Sequence, residues 1–379
     1  DYCFPNALEA IEALQCVVDF AGKAPKALYY LGNLWYDKRR YPTAIAAWER
    51  SSREDETFPT VWRNLSLAYF NKMNRPDEAV TLLEKAFRLD HTDARVLMEL
   101  DQLYKRLNRP HIERLCFLEQ HIDIVMTRDD LYLEYVTLLN QTGQYREAIR
   151  RIDQRKFHPW EGGEGKVPAQ YQLARLELAK ELINRKKYDD ALALIDECYI
   201  YPTHLGEGKL PGAQENDFNY YKAYILQQQG RPEEAHSLFV KACSGNSQPA
   251  AAMYYNDQKP DKIFYQGLAY RKLGEEEKAR SRFNQLITYG EEHLFDRFKM
   301  DYFAVSLPDL LIWEDDMDKK NRIHCNYLMA LGHLGLGNRT KAEHFFDIAA
   351  SMDNNHQGVQ IHRKLMNTCL LYTSPSPRD

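Results

Sequence analysis

One short pattern returns along this chain eight times, and it limits the fold more than any other property of the sequence. A helix carries a small residue among large ones, and a polar turn that often contains Gly follows it. Then come an aromatic, an Ala, and another large apolar residue four positions on. The clearest copy has Leu28, Leu31-Gly32, Trp35, Tyr41, Ala44 and Trp48. The next has Trp62, Leu65-Ser66, Tyr69, Ala79, Leu83 and Ala86. Further copies centre on Ala148, Ala191, Ala235, Ala279 and Ala342, and a degenerate one has Leu97, Leu100, Tyr104 and Phe117 with Glu113 in the Ala slot. In an antiparallel helix pair a small residue lets the partner approach closely while large residues fill the flanking holes, a contact expected between Gly32 and Ala44. Leu28, Leu31, Leu34 and Trp35 form a stripe at helical spacing. Gly143, Gly230, Gly274 and Gly337 stand where one helix must end and the chain reverse. No single pair covers its own stripes, so neighbouring pairs must stack. The expectation is an all-α chain, a right-handed α-solenoid of about eight helix-turn-helix repeats with inserted loops in the C-terminal half.

Composition narrows the function classes. Fifty Lys and Arg against 55 Asp and Glu leave a net charge of -5, so no basic field exists to hold nucleic acid or an anionic membrane. No apolar run approaches the roughly 18 residues of a membrane span. The seven cysteines include no CxxC pair, which points to a reducing, cytoplasmic setting rather than a disulfide framework or a structural zinc site. The histidines His158, His204, His324 and His333 lack HExxH or comparable ligand spacing. No Cys/His or Ser/His nucleophile arrangement is visible. No cofactor, metal or catalytic residue is therefore expected.

Spacing between the Ala slots shows where the period breaks. From position 44 to position 148 the steps are 35, 34 and 35 residues, and from there to 342 they are 43, 44, 44 and 63. Four consecutive repeats thus carry insertions of roughly 9, 10, 10 and 29 residues, all between the second helix of one pair and the first of the next. Loops at the same joint of stacked repeats are expected along one edge as a composite surface. Pro159–Pro168 and Pro202–Pro211 are copies of each other in the pattern P-x-x-x-G-E-G-K-[VL]-P. A phosphate loop is excluded, because Val167 and Leu210 replace its hydroxyl residue and no strand precedes either loop. The loops either cap helix ends and wedge between repeats, or dock a domain or polar ligand. On the second view the candidate residues are Trp160, Glu161, Glu164, Lys166, His204, Glu207 and Lys209. Tyr254, Tyr255 and Asp257 come from the third insertion, and Asp301, Tyr302 and Asp309 from the fourth, which is placed at about 289–321. Aromatics beside carboxylates serve sugar sites, and they also pin loops to helices, a choice that applies equally to Trp313-Glu314-Asp315-Asp316. The run Glu314–Asp318 lacks calcium-loop spacing.

The recurring residues resemble the tetratricopeptide repeat over about residues 25–358. That resemblance implies a superhelix whose concave face binds peptides or partner proteins. On this reading 1–24 is the end of a truncated preceding repeat and 25–152 holds regular repeats. Residues 153–358 hold repeats with long inter-repeat loops, and 359–379 form a terminal segment. The last eleven residues, CLLYTSPSPRD, resemble a translated sequencing adapter and receive no function. The native chain is expected to extend beyond both ends. The loops YPTHLGEGKLPGAQEN, MYYNDQKPDKIFYQGLA and KMDYFAVSLPDLLIWEDDMDKKNRIHCNYLMALGHLGLGN carry a closer resemblance. They are similar to the C-terminal array of the bacterial domain-of-unknown-function family five-one-zero-seven. This implies an upstream β-sandwich of the galactose-mutarotase type and carbohydrate handling by the whole protein. Two functions follow as expectations. One is an interaction scaffold docking that upstream domain or a partner protein through the loop edge. The other is a carbohydrate-binding or glycoside-processing site completed by the loops, which needs two convergent carboxylates. A third, a co-chaperone type of peptide clamp, is not clearly supported by the regular repeats.

Overall fold

The computed structural model describes residues 6–252, 257–297 and 312–368. Among these residues there are nineteen α-helices and one 3-10 turn, and no strand. In chain order they are α1 (Glu9–Phe20), α2 (Pro25–Asp37), α3 (Tyr41–Glu54), α4 (Pro59–Met73), α5 (Pro76–Leu89), α6 (Ala94–Arg106) and α7 (His111–Gln120). Then follow α8 (Ile122–Val125), α9 (Asp129–Gln141), α10 (Tyr145–Asp153), α11 (Lys166–Asn184), α12 (Tyr188–Cys198) and α13 (Asn216–Gln228). The last are α14 (Pro232–Ala242), α15 (Pro260–Lys272), α16 (Glu276–His293), α17 (Met317–Gly335), α18 (Arg339–Met352) and α19 (Gln357–Leu365). Hairpins such as α2/α3, α4/α5, α11/α12, α13/α14, α15/α16 and α17/α18 pack against the next in series, the arrangement of an α-solenoid.

The predicted slots have a common geometry. Ala44, Ala79, Ala148, Ala191, Ala235, Ala279 and Ala342 are each the fourth residue of a second helix. Each is buried, and its N–H bonds the carbonyl of the cap residue four positions back. The degenerate copy departs from the sequence expectation. Glu113 is exposed, and the residue at the equivalent position is Arg114, whose N–H bonds Pro110 O. Arg114 is 1% exposed, and its guanidinium donates to Glu134 Oε1 and Asn355 Oδ1, both at 2.7 Å. A buried charge at a slot built for a methyl group is tolerable only because both partners are supplied.

Gly32 faces Trp48 rather than Ala44: a Cβ on Gly32 would stand 2.2 Å from the indole nitrogen. That nitrogen donates to Tyr29 O and Asn33 Oδ1. Gly143, Gly230, Gly274 and Gly337 all take the left-handed conformation expected of them, with φ between 76° and 80°.

The helices form two compact units. Unit 1 comprises the described parts of Asp1–Arg109, Cys116–Tyr132 and Leu311–Glu314, and unit 2 the described parts of Pro110–Leu115, Leu133–Leu310 and Asp315–Asp379. In unit 1 the first helices α2, α4 and α6 carry a buried polar ladder. Asn64 donates to Asn33, and Arg63 makes a two-pronged bond to Glu99 at 2.7 and 2.6 Å.

In unit 2 the first helices carry a comparable set: Lys180 on Glu177 and Lys262 on Asp217, each at 2.5 Å, and Tyr221 bonded to Tyr265. Helix α19 and the turn before it lie against this set. His362 is bonded to Tyr327 and stands edge-on to Phe264, Gln357 exchanges bonds with Gln170, and Gln141 donates to Asn355 O. Burial pushes the His362 imidazole down to about 3, so it is neutral where it packs.

Candidate functional site: the loop edge of unit 2

The first three insertions occupy 154–165, 199–215 and 243–259, each between a second helix and the next first helix, as the spacing requires. They are tied in series. Phe157 N–H donates to His204 O at 2.8 Å, and Glu207 accepts the N–H of Gly165, the cap residue of α11, at 2.7 Å. Gly206 is obligatory at this crossing, with φ +77° and Phe157 O only 2.7 Å from where a Cβ would stand. The second loop is tied to the third by Gln214, which donates to Asp257 O and accepts Lys259 N–H, and by Asn216, which donates to Ser244 O.

The two Gly-Glu-Gly-Lys copies do not share one geometry. Gly165 is left-handed and leads straight into α11, so Lys166 is the first residue of that helix. The matching Lys209 stands seven residues ahead of α13, donating to Tyr199 O and paired with Glu215. Glu207 is tied across to the first loop, whereas its counterpart Glu164 supplies only a nearby negative charge. Burial pushes the Glu207 carboxyl above its ordinary value, the Glu164 charge adds to this, and the Gly165 N–H partly offsets it.

Trp160 lies over Gly163, where a Cβ would stand 2.3 Å from the ring, while Glu161 points to solvent. His204 is half-buried, edge-on to Tyr171, with Nε2 3.8 Å from Asp153 Oδ1. Asp153 is itself gripped through both oxygens by Arg175, which stacks on Tyr171. Trp160, Glu164, His204 and Glu207 thus belong to one cluster of crossed loops, and Asp257 joins it through its carbonyl on Gln214. Tyr254, Tyr255, Asp301, Tyr302 and Asp309 lie outside the described residues. No group of three or more His, Cys, Asp or Glu side chains suited to a metal ion occurs among the described residues.

Two features of this edge were missed by weighing carboxylates. Ile200 and Leu210, both in the second loop, are 61% and 51% exposed. A groove of about 740 Å³ is walled by Tyr199 and Gly212–Asn216 of the same loop, with Lys222, Leu238 and Gly245-Asn246. The visible signal was a pair of apolar residues in the second polar loop with no helical stripe to join.

The fourth insertion differs from the first three. It is shorter than the spacing suggests, because α16 runs on to His293 and α17 begins at Met317. Its residues 312–314 belong to unit 1, where Trp313 is fully buried and bonded to Glu99 O.

Residues 263–289, spanning α15 and α16 with Gly267, Gly274, Ala279 and Phe283, match the tetratricopeptide repeat family model. Among solved structures, the chain is similar to a tetratricopeptide repeat protein from Parabacteroides merdae at 15% identity and TM-score 0.34, over 69% of this chain and 91% of that one. The Naa15/Naa10 structure bound to HypK-THB is 12% identical with TM-score 0.42, over 97% and 66%. The apo form of the quorum sensor NprR from B. thuringiensis is 14% identical with TM-score 0.31, over 90% and 81%. No described helix is long and apolar enough to cross a membrane.

Proposed function

We propose that this chain is a protein-interaction scaffold that docks a folded protein domain, its own upstream β-sandwich or a partner, through the loop edge of unit 2. The observation that carries the reading is the combination of rigidity and apolar exposure at that edge. The loops are cross-tied through backbone groups, so their shape is set before any partner arrives, yet Ile200 and Leu210 are held out to solvent in the loop whose Tyr199 and Gly212–Asn216 also wall a groove. Preorganised apolar anchors surrounded by lysines and amides are what a protein interface uses, since little ordering entropy remains to be lost on binding.

The test is calorimetric. The polypeptide encoded upstream of Asp1, recovered from an overlapping read, is titrated into the chain and into a variant with both Ile200→Asp and Leu210→Asp. The anchors should account for at least a tenfold loss of affinity. Equal affinity for both chains would remove the loop edge from the interface.

The carbohydrate alternative has one observation in its favour: two loop carboxylates, Glu164 and Glu207, close enough to influence each other near Trp160. Against it, the Glu207 carboxylate is already committed to Gly165 N–H. Binding of oligosaccharides that disappears with Trp160→Ala would favour it over protein docking.

A further inference from the structure

The groove between the second and third loops of unit 2 has the chemistry of an anion site. Its volume of about 740 Å³ suits a small organic molecule rather than a bare ion. Helix α13, thirteen residues long, begins in its wall. Gly212–Asn216 line the groove, and Glu215, the cap residue, makes no side-chain bond to the first turn. The N–H groups of Asn216 and Asp217 therefore have no partner within the helix, and the helix dipole adds partial positive charge at that end.

Lysines supply the rest of the field. Lys222 and Lys241 stand in the wall, and Lys209 reaches it by pairing with Glu215. Lys222 is paired with Asp196, and Asp217, next along α13, is neutralised by Lys262. Lys241 is exposed and makes no ion pair among the described residues. The charge left over is thus in the groove itself. A separate observation points the same way. Gln258, 7% exposed, lines the groove with a carboxamide whose oxygen accepts no bond and whose nitrogen finds only the Lys259 carbonyl, at 3.5 Å. A buried amide with its bonding capacity unused destabilises the fold unless an occupant takes it up. Tyr199, the aromatic in the wall, has Lys209 and Lys222 over its ring at 6.0 and 5.7 Å, so a flat apolar ligand finds no bare platform.

We propose that this groove binds a small organic polyanion, a molecule carrying carboxylate or phosphate groups on a hydrogen-bonding body. The α13 N-terminus and Lys241 hold an anionic group, and Gln258 with the amide of Asn246 takes the polar body. Ile200 and Leu210 do not line the groove, so the site stands whether or not a domain docks on them.

The probes are citrate and inorganic pyrophosphate, each titrated calorimetrically into the full chain at about 50 mM salt, where surface charges are only partly screened. At least one should bind with a Kd on the order of 0.1 mM or tighter, and the preference between them tells a carboxylate ligand from a phosphate one. Lys241→Gln removes the uncompensated charge. Asn246→Asp keeps the acceptor for Gln248 N–H but puts a negative charge in the wall. Each should weaken binding about tenfold or more with the melting transition unchanged. Lys341→Glu, an exposed site on α18 outside the groove, should change it by less than about twofold. The proposal is overturned if neither probe binds, or if Lys241→Gln and Asn246→Asp bind as tightly as the unaltered chain. Equal weakening by all three variants overturns it too, because the attraction would then be diffuse and not seated in the groove.

Discussion

At the scale of single residues, close approach between helices is governed by where a methyl group fits. Phe283 is wedged between Gly267 of α15 and Gly335 of α17, where added Cβ atoms would stand 2.4 and 2.1 Å from its ring. Gly267→Ala should therefore cost about 1–3 kcal/mol by overpacking, read as a lower melting temperature with helicity retained. An unchanged melt would mean that the ring has room to move. The Ala slots were legible because a methyl-sized residue recurs at a fixed helical position. Arg114 was not, because counting from Pro110 by analogy with Pro76 and Pro232 sets the register one residue early. Only the Arg114 N–H to Pro110 O bond reveals that the helix starts later. Glu207 supplies a second test. Its folded-state pKa is raised, so between the ordinary glutamate range and that higher value the folded protein binds more protons than the unfolded one, and stability falls as pH rises through the window. Glu207→Gln keeps an acceptor for Gly165 N–H but cannot ionise. Its melting temperature should gain on the unaltered protein as pH rises from about 4 to about 7. A gap that does not change with pH would count against burial of the charge.

At the scale of elements, the sequence located all four insertions by arithmetic but not what they do. Two loops with one motif take different shapes, because the residues after the motif differ in destiny: Lys166-Val167-Pro168 enters a helix at once, whereas Lys209-Leu210-Pro211 leads into a further turn. The choice left open for Trp313, a ligand-facing aromatic or a loop pinned to helices, is resolved as pinning, on helices that no local pattern could have nominated. Helix α19 was equally hidden. Its partners Gln170, Phe264 and Tyr327, and Gln141 on the turn before it, are scattered over successive repeats, and the repeat period says nothing of what lies across their faces. A chain ending at Met352 should lose the cover over Tyr265 and over the Lys180–Glu177 and Lys262–Asp217 pairs. Amide exchange in α15 and α17 should then speed up at least tenfold, by a local opening that the full chain suppresses. Unchanged protection would show that α19 only rests on a face that is stable without it.

At the scale of the molecule, helical repeats are usually a local affair, each hairpin completed by its immediate neighbours. Here each unit also draws on a segment from far along the chain: residues 312–314 in unit 1, and 353–366 across the first helices of unit 2. Such long closures slow folding, because the loop entropy is lost before the contact forms. During synthesis α4 and α6 leave the ribosome some two hundred residues ahead of the indole that packs on them, since Trp313 trails Glu99 by 214 positions. Throughout that interval Phe70 and the Glu99 carbonyl lack the partner they have in the finished fold.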